Sequence, residues 1–234
     1  MHTLGNLLDS FVDESVFKLN GIQIVNQYPN LVDIVANYKN ELASADHSQP
    51  YLLNSQHTFE KTMYFPHCNG EYTVTWDINR ARHLINQMIQ NRRLIANEVS
   101  VEEVYPYIQK NEITESYLPN ALKSNEPIIL VWYSPTSQKL IIDGNHRVAS
   151  RYRQDPKTKI QVYGPFSHYA HIDFMPNDLN RKLFVIHHNM QMIFNYMKGD
   201  MTKRELFSGE IGLFNGTEDL NWMKGYFSPL VMNH

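Results

Sequence analysis

Two short apolar segments, residues 128–132 and 139–142, flank the polar turn Ser134-Pro135-Thr136-Ser137-Gln138, and the second runs directly into Asp143-Gly144 and a helix-forming stretch. This arrangement constrains the fold more than any other part of the chain. Strands joined by a short turn of this composition pair with each other. A glycine set between a strand and a helix allows a corner that other residues resist. Upstream, Glu126-Pro127 ends a helix expected over residues 114–124. The longest apolar run, residues 127–133, falls well short of the ~20 residues that a membrane span needs, so it reads as a buried strand. No membrane partner is expected. The amino terminus shows no basic stretch followed by an apolar signal segment, which leads to the expectation of a cytoplasmic protein.

Elements of both kinds surround this strand pair. Leu7, Leu8, Phe11, Val12 and Val16 have helical spacing, as do Leu31, Ile34, Val35, Tyr38 and Leu42. Ala43 to Pro50 turns polar and reads as a connector through residue 56. Tyr64-Phe65 and residues 72–76 flank Pro66-His67-Cys68-Asn69-Gly70, which suits a β-hairpin. Asp77 can cap a helix that buries Ala81, Leu84, Ile85, Met88 and Ile89, and Arg80 and Arg82 lie near its start. Residues 95–99 read as a strand, followed by a short helix with Ser100 and Glu103 as a capping box. Residues 160–162 and 170–174 suggest further short strands. Leu179, Leu183, Ile186, Met190, Ile193 and Met197, spaced four, three, four, three, four, predict one long amphipathic helix. Such a seam packs within its own domain or against a second copy, so a homodimer through residues 179–197 stays open. The fold class is therefore α+β: a small mixed sheet flanked by helices, with helical additions at both ends. Segments are expected at 1–56, 57–175 and 176–234, the last with a tail carrying Trp222, Tyr226 and Phe227.

Charge bears on function. The net charge of −3 over 234 residues argues against a surface that is nucleic-acid footprint throughout. The distribution is uneven, however. Residues 1–50 carry Asp9, Asp13, Glu14, Asp33, Glu41 and Asp46 against Lys18 and Lys39. Residues 143–159 instead carry Arg147, Arg151, Arg153, Lys157 and Lys159 against Asp143 and Asp155. A single cysteine, Cys68, excludes an internal disulfide framework and a multi-cysteine zinc site. His187-His188, His168 with His171, and His67-Cys68 lack the spacing of a metal site, because neighbouring helical residues point about 100° apart. No metal ligand is assigned.

The chemistry concentrates at Asp143-Gly144-Asn145-His146-Arg147. Gly144 lets a ligand approach the backbone, and the helix that follows presents unpaired amides and the positive end of its dipole. Such a corner favours anions. His146 and Arg147 add donors, Arg147 as a planar fork suited to phosphate oxygens. Ser150, one turn on, offers a further hydroxyl. Asp143 could orient His146, meet a divalent cation or cap the helix, and the sequence does not choose among these. Glu102, Glu103 and Glu115 are further carboxylates that could serve as general bases.

At these residues the chain resembles the ParB/sulfiredoxin superfamily, in particular ParB-like domains whose signature is a strand ending in Asp-Gly-Asn-His-Arg. Trp76-Asp77-Ile78, Arg82, Leu84-Ile85, Pro127-Ile128-Ile129 and residues 139–142 extend the likeness over about residues 72–174. The resemblance implies a nucleotide-binding core at 57–175. It implies phosphate contacts from Gly144, Asn145, His146, Arg147 and Ser150, catalytic roles for Asp143 and His146, and ATP or another nucleoside triphosphate, with magnesium carried by the nucleotide. Sulfiredoxins carry a reactive cysteine just before the His-Arg pair, where this chain has Asn145, so sulfinic-acid repair is not expected. Partition ParB proteins follow the nucleotide domain with a helix-turn-helix, and none is evident after Phe174. The expectation is an NTPase or phosphotransferase. The alternatives are a DNA-associated partition or nuclease protein, with Arg80, Arg82, Arg92 and Arg93 among the bases reaching phosphates, and a regulator that keeps the fold without catalysis.

Overall fold

The computed structural model describes residues 8–45, 57–65, 70–208 and 212–214. In chain order the regular elements are α1 (Glu14–Leu19), α2 (Leu31–Ala43), β1 (Thr58–Phe65), β2 (Gly70–Asp77), α3 (Ile78–Gln90), β3 (Asn97–Ser100) and α4 (Val101–Val104). Then come α5 (Leu118–Lys123), β4 (Ile128–Tyr133), β5 (Gln138–Asp143), α6 (Asn145–Gln154), β6 (Lys159–Phe166), α7 (His168–His171), α8 (Asp178–Lys198) and α9 (Lys203–Leu206). The architecture is mixed α and β, with small sheets flanked by helices. No helix among the described residues is long and apolar enough to cross a membrane. The chain forms two compact units. One takes its described residues from both ends of the chain and from 61–74, the other from 57–60 and 75–176.

The second unit is built on a four-stranded sheet in the order β3-β6-β4-β5. β4 is buried at Ile128, Ile129, Leu130 and Val131 in succession, as expected of an inner strand covered on both faces. It pairs antiparallel with β5, Leu130 opposite Ile141, and parallel with β6, Ile128 opposite Val162. The register slips between Ile129 and Leu130, so that Ile129 faces Asp143. This irregularity falls at the end of β5, where the chain turns into α6. Val101, Val104, Ile108, Leu118, Ile128, Leu130, Ile141, Val148, Ala149, Ile160 and Val162 form one core, which fixes α6 on the sheet. Asp77 caps α3 by accepting from the Arg80 amide at 2.9 Å, and α3 buries Ile78, Ala81 and Ile85. Glu103 accepts from both the amide and the hydroxyl of Ser100, at 2.9 and 2.6 Å, which starts α4. These bonds hold the Glu103 carboxyl below the usual range, the Ser100 hydroxyl being the larger cause and its amide the next.

In the first unit α8 starts at Asn177, whose side chain accepts from the Asn180 amide at 3.0 Å, and stops at Gly199, in the left-handed region at φ 83°. Leu183, Ile186, Met190, Ile193 and Met197 are all buried, together with Phe184 and Phe194 on other sides of the helix. Phe11 and Phe17 pack on Phe194, and the amides of Val25 and Asn26 donate to the Met197 carbonyl. Lys182 reaches Glu41 at 2.9 Å and Asp178 at 3.0 Å. The two terminal segments, read separately from sequence, therefore pack as one unit.

Several elements differ from expectation. Residues 170–174 are not a strand; they continue α7 into a 3-10 turn at Ile172–Phe174. Alternation over five residues cannot separate a short strand from a buried turn, and here the Ser167 carbonyl accepts from the amides of both Ala170 and His171, as in a helix start. The helix expected from Leu8 to Val16 is divided, because Asp13 accepts from the amide and hydroxyl of Ser15 and begins α1 anew. β3 begins at Asn97, leaving Ile95 exposed. Over 114–124 a 3-10 turn at Glu115–Tyr117 precedes α5. Leu7, the connector 46–56 with Pro50, the 66–69 turn with His67 and Cys68, and Trp222, Tyr226 and Phe227 lie outside the described residues.

Candidate functional site

β5 delivers Asp143 to the corner and α6 carries Asn145, His146 and Arg147 away from it, so their directions follow helical rotation. Gly144 stands at φ 103° and ψ 14°. A Cβ there would lie 2.5 Å from Ile128 Cγ2 and 2.9 Å from Arg147 Nη2. Only glycine meets both the backbone angle and the space. The helix closes its first bond from the Val148 amide to the Gly144 carbonyl at 3.0 Å, and no side chain caps it. The amides of residues 145–147 precede the first available helical carbonyl, as at any helix start.

Asp143 and Arg147, one turn apart, face the same side. The Asp143 carboxylate, 9% exposed, accepts on Oδ2 from Arg82 Nε at 3.0 Å and Arg82 Nη2 at 2.8 Å, with Arg147 Nη2 at 3.3 Å. Arg147, also 9% exposed, donates from Nη1 to Glu126 Oε2 at 3.1 Å and from Nη2 to the Pro127 carbonyl at 3.2 Å. Its Nε is buried without a hydrogen-bond partner. Glu126 Oε2 also accepts from Arg82 Nη2 at 3.2 Å. Two guanidiniums and two carboxylates thus interlock, and Glu126 at 62% exposure and Arg82 at 38% are the members that solvent reaches. Beside them opens a cleft of about 290 Å³, lined by Arg82, Asn86, Glu126, Asp143 and Tyr163 with Ile85, Pro127 and Ile129. Its lining combines charged and polar groups with three apolar residues.

The remaining motif residues face elsewhere. Asn145 accepts from the Gln109 amide at 3.0 Å and donates to the Ile141 carbonyl at 2.8 Å, tying the loop before α5 to β5. His146 Nε2 accepts from the Thr114 amide at 2.9 Å, and its ring meets Tyr117 edge-on. With Nε2 accepting, a neutral ring carries its proton on Nδ1. The hydrogen bonds of Asp143 and His146 go to different partners, so Asp143 orients the two arginines instead. Ser150 donates to the Arg147 carbonyl at 3.1 Å, an ordinary bond within a helix. Among the outer bases, Arg151 donates to the Ser124 carbonyl at 2.6 Å and Asn125 Oδ1 at 3.0 Å. Burial, and then the charge of Arg147, lower its pKa. Arg153 grips Glu115 with both terminal nitrogens at 2.5 and 2.7 Å. That bond lowers the pKa of Glu115 and raises that of Arg153. Both arginines are therefore engaged within the chain.

Sequence reading placed Arg82 near a helix start, within the family likeness and among the bases of the DNA-binding alternative, but not at the Asp143–Arg147 corner, and treated Glu126 only as the residue before a helix-breaking proline. The retrievable signal for Arg82 is its place beside the buried stripe Ile78, Ala81, Ile85, where a cation sits at the edge of an apolar face. Glu126 carries no such signal, since its partners are 44 and 21 residues away.

His187 and His188 lie in the other unit. The Tyr72 hydroxyl pairs with His187 Nδ1, and His188 Nε2 meets the Gly212 carbonyl at 2.8 Å. Burial, and next the His188 charge, push the His187 imidazole down to about 3. Comparison of the chain with family models, curated proteins and solved structures found no match.

Proposed function

We propose that this protein binds a nucleoside triphosphate at the corner between β5 and α6, and that it hydrolyses the nucleotide or transfers its phosphoryl group. The observation that carries this reading is the convergence of Arg82 and Arg147 on one carboxylate edge at the start of α6. Two planar cationic forks beside a helix amino terminus form a phosphate-selective corner. The motif's resemblance to ParB-like nucleotide sites supports the same ligand class. In this reading Asn145 and Ser150 act through the backbone amides and helix geometry they stabilise, since their side chains are spent on the chain. His146 offers Nδ1–H on a different side of the helix start from the arginine pair. Arg82 and Arg147 hold phosphate oxygens, and Asp143 keeps both guanidiniums in place. Phosphoryl chemistry asks mainly for such positioning and charge stabilisation. Magnesium enters as part of the nucleotide substrate.

Calorimetric titration of the full chain with ATP, CTP, GTP and ADP, with and without magnesium, tests the proposal. At least one triphosphate is expected to bind, and Arg82→Ala to weaken it at least tenfold, the order of a charge-assisted bidentate contact. Absence of binding to all four, or affinity unchanged in both Arg82→Ala and Arg147→Lys, refutes it.

A further inference from the structure

Glu126 is the one exposed anion among the two arginines and two acids of the corner, and it occupies hydrogen-bonding positions on both guanidiniums with a single oxygen, 3.2 Å from Arg82 Nη2 and 3.1 Å from Arg147 Nη1. The segment that bears it is fastened on either side. Arg151 holds the Ser124 carbonyl and Asn125, and Arg147 holds the Pro127 carbonyl. The backbone is therefore fixed while the Glu126 side chain, 62% exposed, can rotate into water. Asp143 is placed differently, at 9% exposure and with Oδ2 taking Nε and Nη2 of Arg82 together. One carboxylate builds the arginine pair and the other covers it.

From this we infer that Glu126 is a built-in competitor for the phosphate ligand, and that it makes the corner selective for polyphosphates over singly charged anions. The inference rests on the nucleotide-phosphate reading of the same corner. An anion that bridges the two guanidiniums at Arg82 Nη2 and Arg147 Nη1 must displace a carboxylate that already meets both nitrogens. A monocarboxylate brings one charge, the same as Glu126, and gains nothing by the exchange. A diphosphate or triphosphate brings more charge and more acceptor oxygens, so it can satisfy both arginines and release Glu126 to solvent. The cleft beside the pair, lined by Asn86, Tyr163, Ile85 and Ile129, leaves room for the rest of such a ligand.

The test is titration of the full chain and of its Glu126→Gln and Glu126→Ala variants with pyrophosphate, ATP and acetate, with circular dichroism confirming that each variant is folded. For an exposed competitor held by two contacts, loss of its charge is expected to tighten pyrophosphate and ATP roughly fivefold. Acetate is expected to be undetectable with the parent chain and measurable in the variants. If the parent chain binds ATP through Arg82 while both variants bind no tighter, the competitor role is overturned and the nucleotide reading stands. If neither parent nor variants bind any of the three anions, both fall. Weaker binding in both variants overturns the inference too, since it would make Glu126 part of the grip.

Discussion

Replacing Gly144 by alanine tests the geometry of the corner directly. Two separate costs apply. The residue stands at φ 103°, a region that costs a residue with a Cβ about 1–2 kcal/mol. The new methyl would also sit 2.5 Å from Ile128 Cγ2 and 3.0 Å from Ile128 Cβ. Ile128 is fully buried in the inner strand β4, and forcing an extra carbon into a packed core costs about 1–3 kcal/mol. The sum is roughly 2–5 kcal/mol, a large part of a domain's stability. Urea unfolding followed by tryptophan fluorescence is suited to this, because Trp76 and Trp132 both belong to the unit that carries the corner. Ile128→Ala removes the nearest clashing carbon, Cγ2, while Ile128 Cβ and Arg147 Nη2 stay close, so Gly144→Ala in that background is expected to lose less than in the parent but more than the backbone part alone. A loss under about 0.5 kcal/mol in the parent background would refute the strain argument. An equal loss in both backgrounds would refute the clash.

Two further outcomes follow from buried polar groups. Asn145→Ala strips the acceptor from the Gln109 amide and the donor from the Ile141 carbonyl. A loss of about 2–3 kcal/mol is expected in the same urea assay, with Asn145→Asp recovering only the Gln109 bond. His187 stays neutral in the folded chain down to about pH 3 against an ordinary value of 6.5. Between those values the unfolded chain binds more protons, so stability falls as pH drops, by up to about 1.4 kcal/mol per pH unit from this group. Urea midpoints at pH 7.5, 6 and 5 should show the decline, and His187→Gln should flatten it. A slope unchanged by His187→Gln would assign the decline to other groups.

The parts of the fold that were legible in sequence are those set by local chemistry. The Asp77 cap, the Ser100–Glu103 capping box, the β4–β5 pair and the long α8 each depend on residues a few positions apart, so composition and period suffice. The grouping of the chain's two ends into one unit was not legible. It depends on contacts such as the Val25 amide to the Met197 carbonyl and Lys182 to Glu41, more than 140 residues apart, which leave no periodic trace. The segment 170–174 failed for a different reason. His171, Ile172 and Phe174 are buried and Asp173 between them is exposed, a pattern too short to separate a strand from a turn by its period.

The motif was legible as a corner but not as a division of roles. Read linearly, its five residues appear as one ligand-binding strip. Successive helical side chains turn by about 100°, so Asn145, His146 and Arg147 at the start of α6 point in different directions, and it is Arg147 that meets Asp143 at the end of β5. The structure follows that rule: Arg147 turns to Asp143 and Glu126, Asn145 turns inward to β5, and His146 turns to Thr114. The polar cluster around Asp143 is completed from other elements: α3 supplies Arg82 and the segment before β4 supplies Glu126. A buried guanidinium cannot shed its charge at any ordinary pH, so Arg147 at 9% exposure requires a fixed anion, and Asp143 meets that need. Asp143 thereby balances the charge of both arginines. Glu126 balances the same arginines from the exposed side, where water competes for its contacts, so the two carboxylates of the cluster are not equivalent.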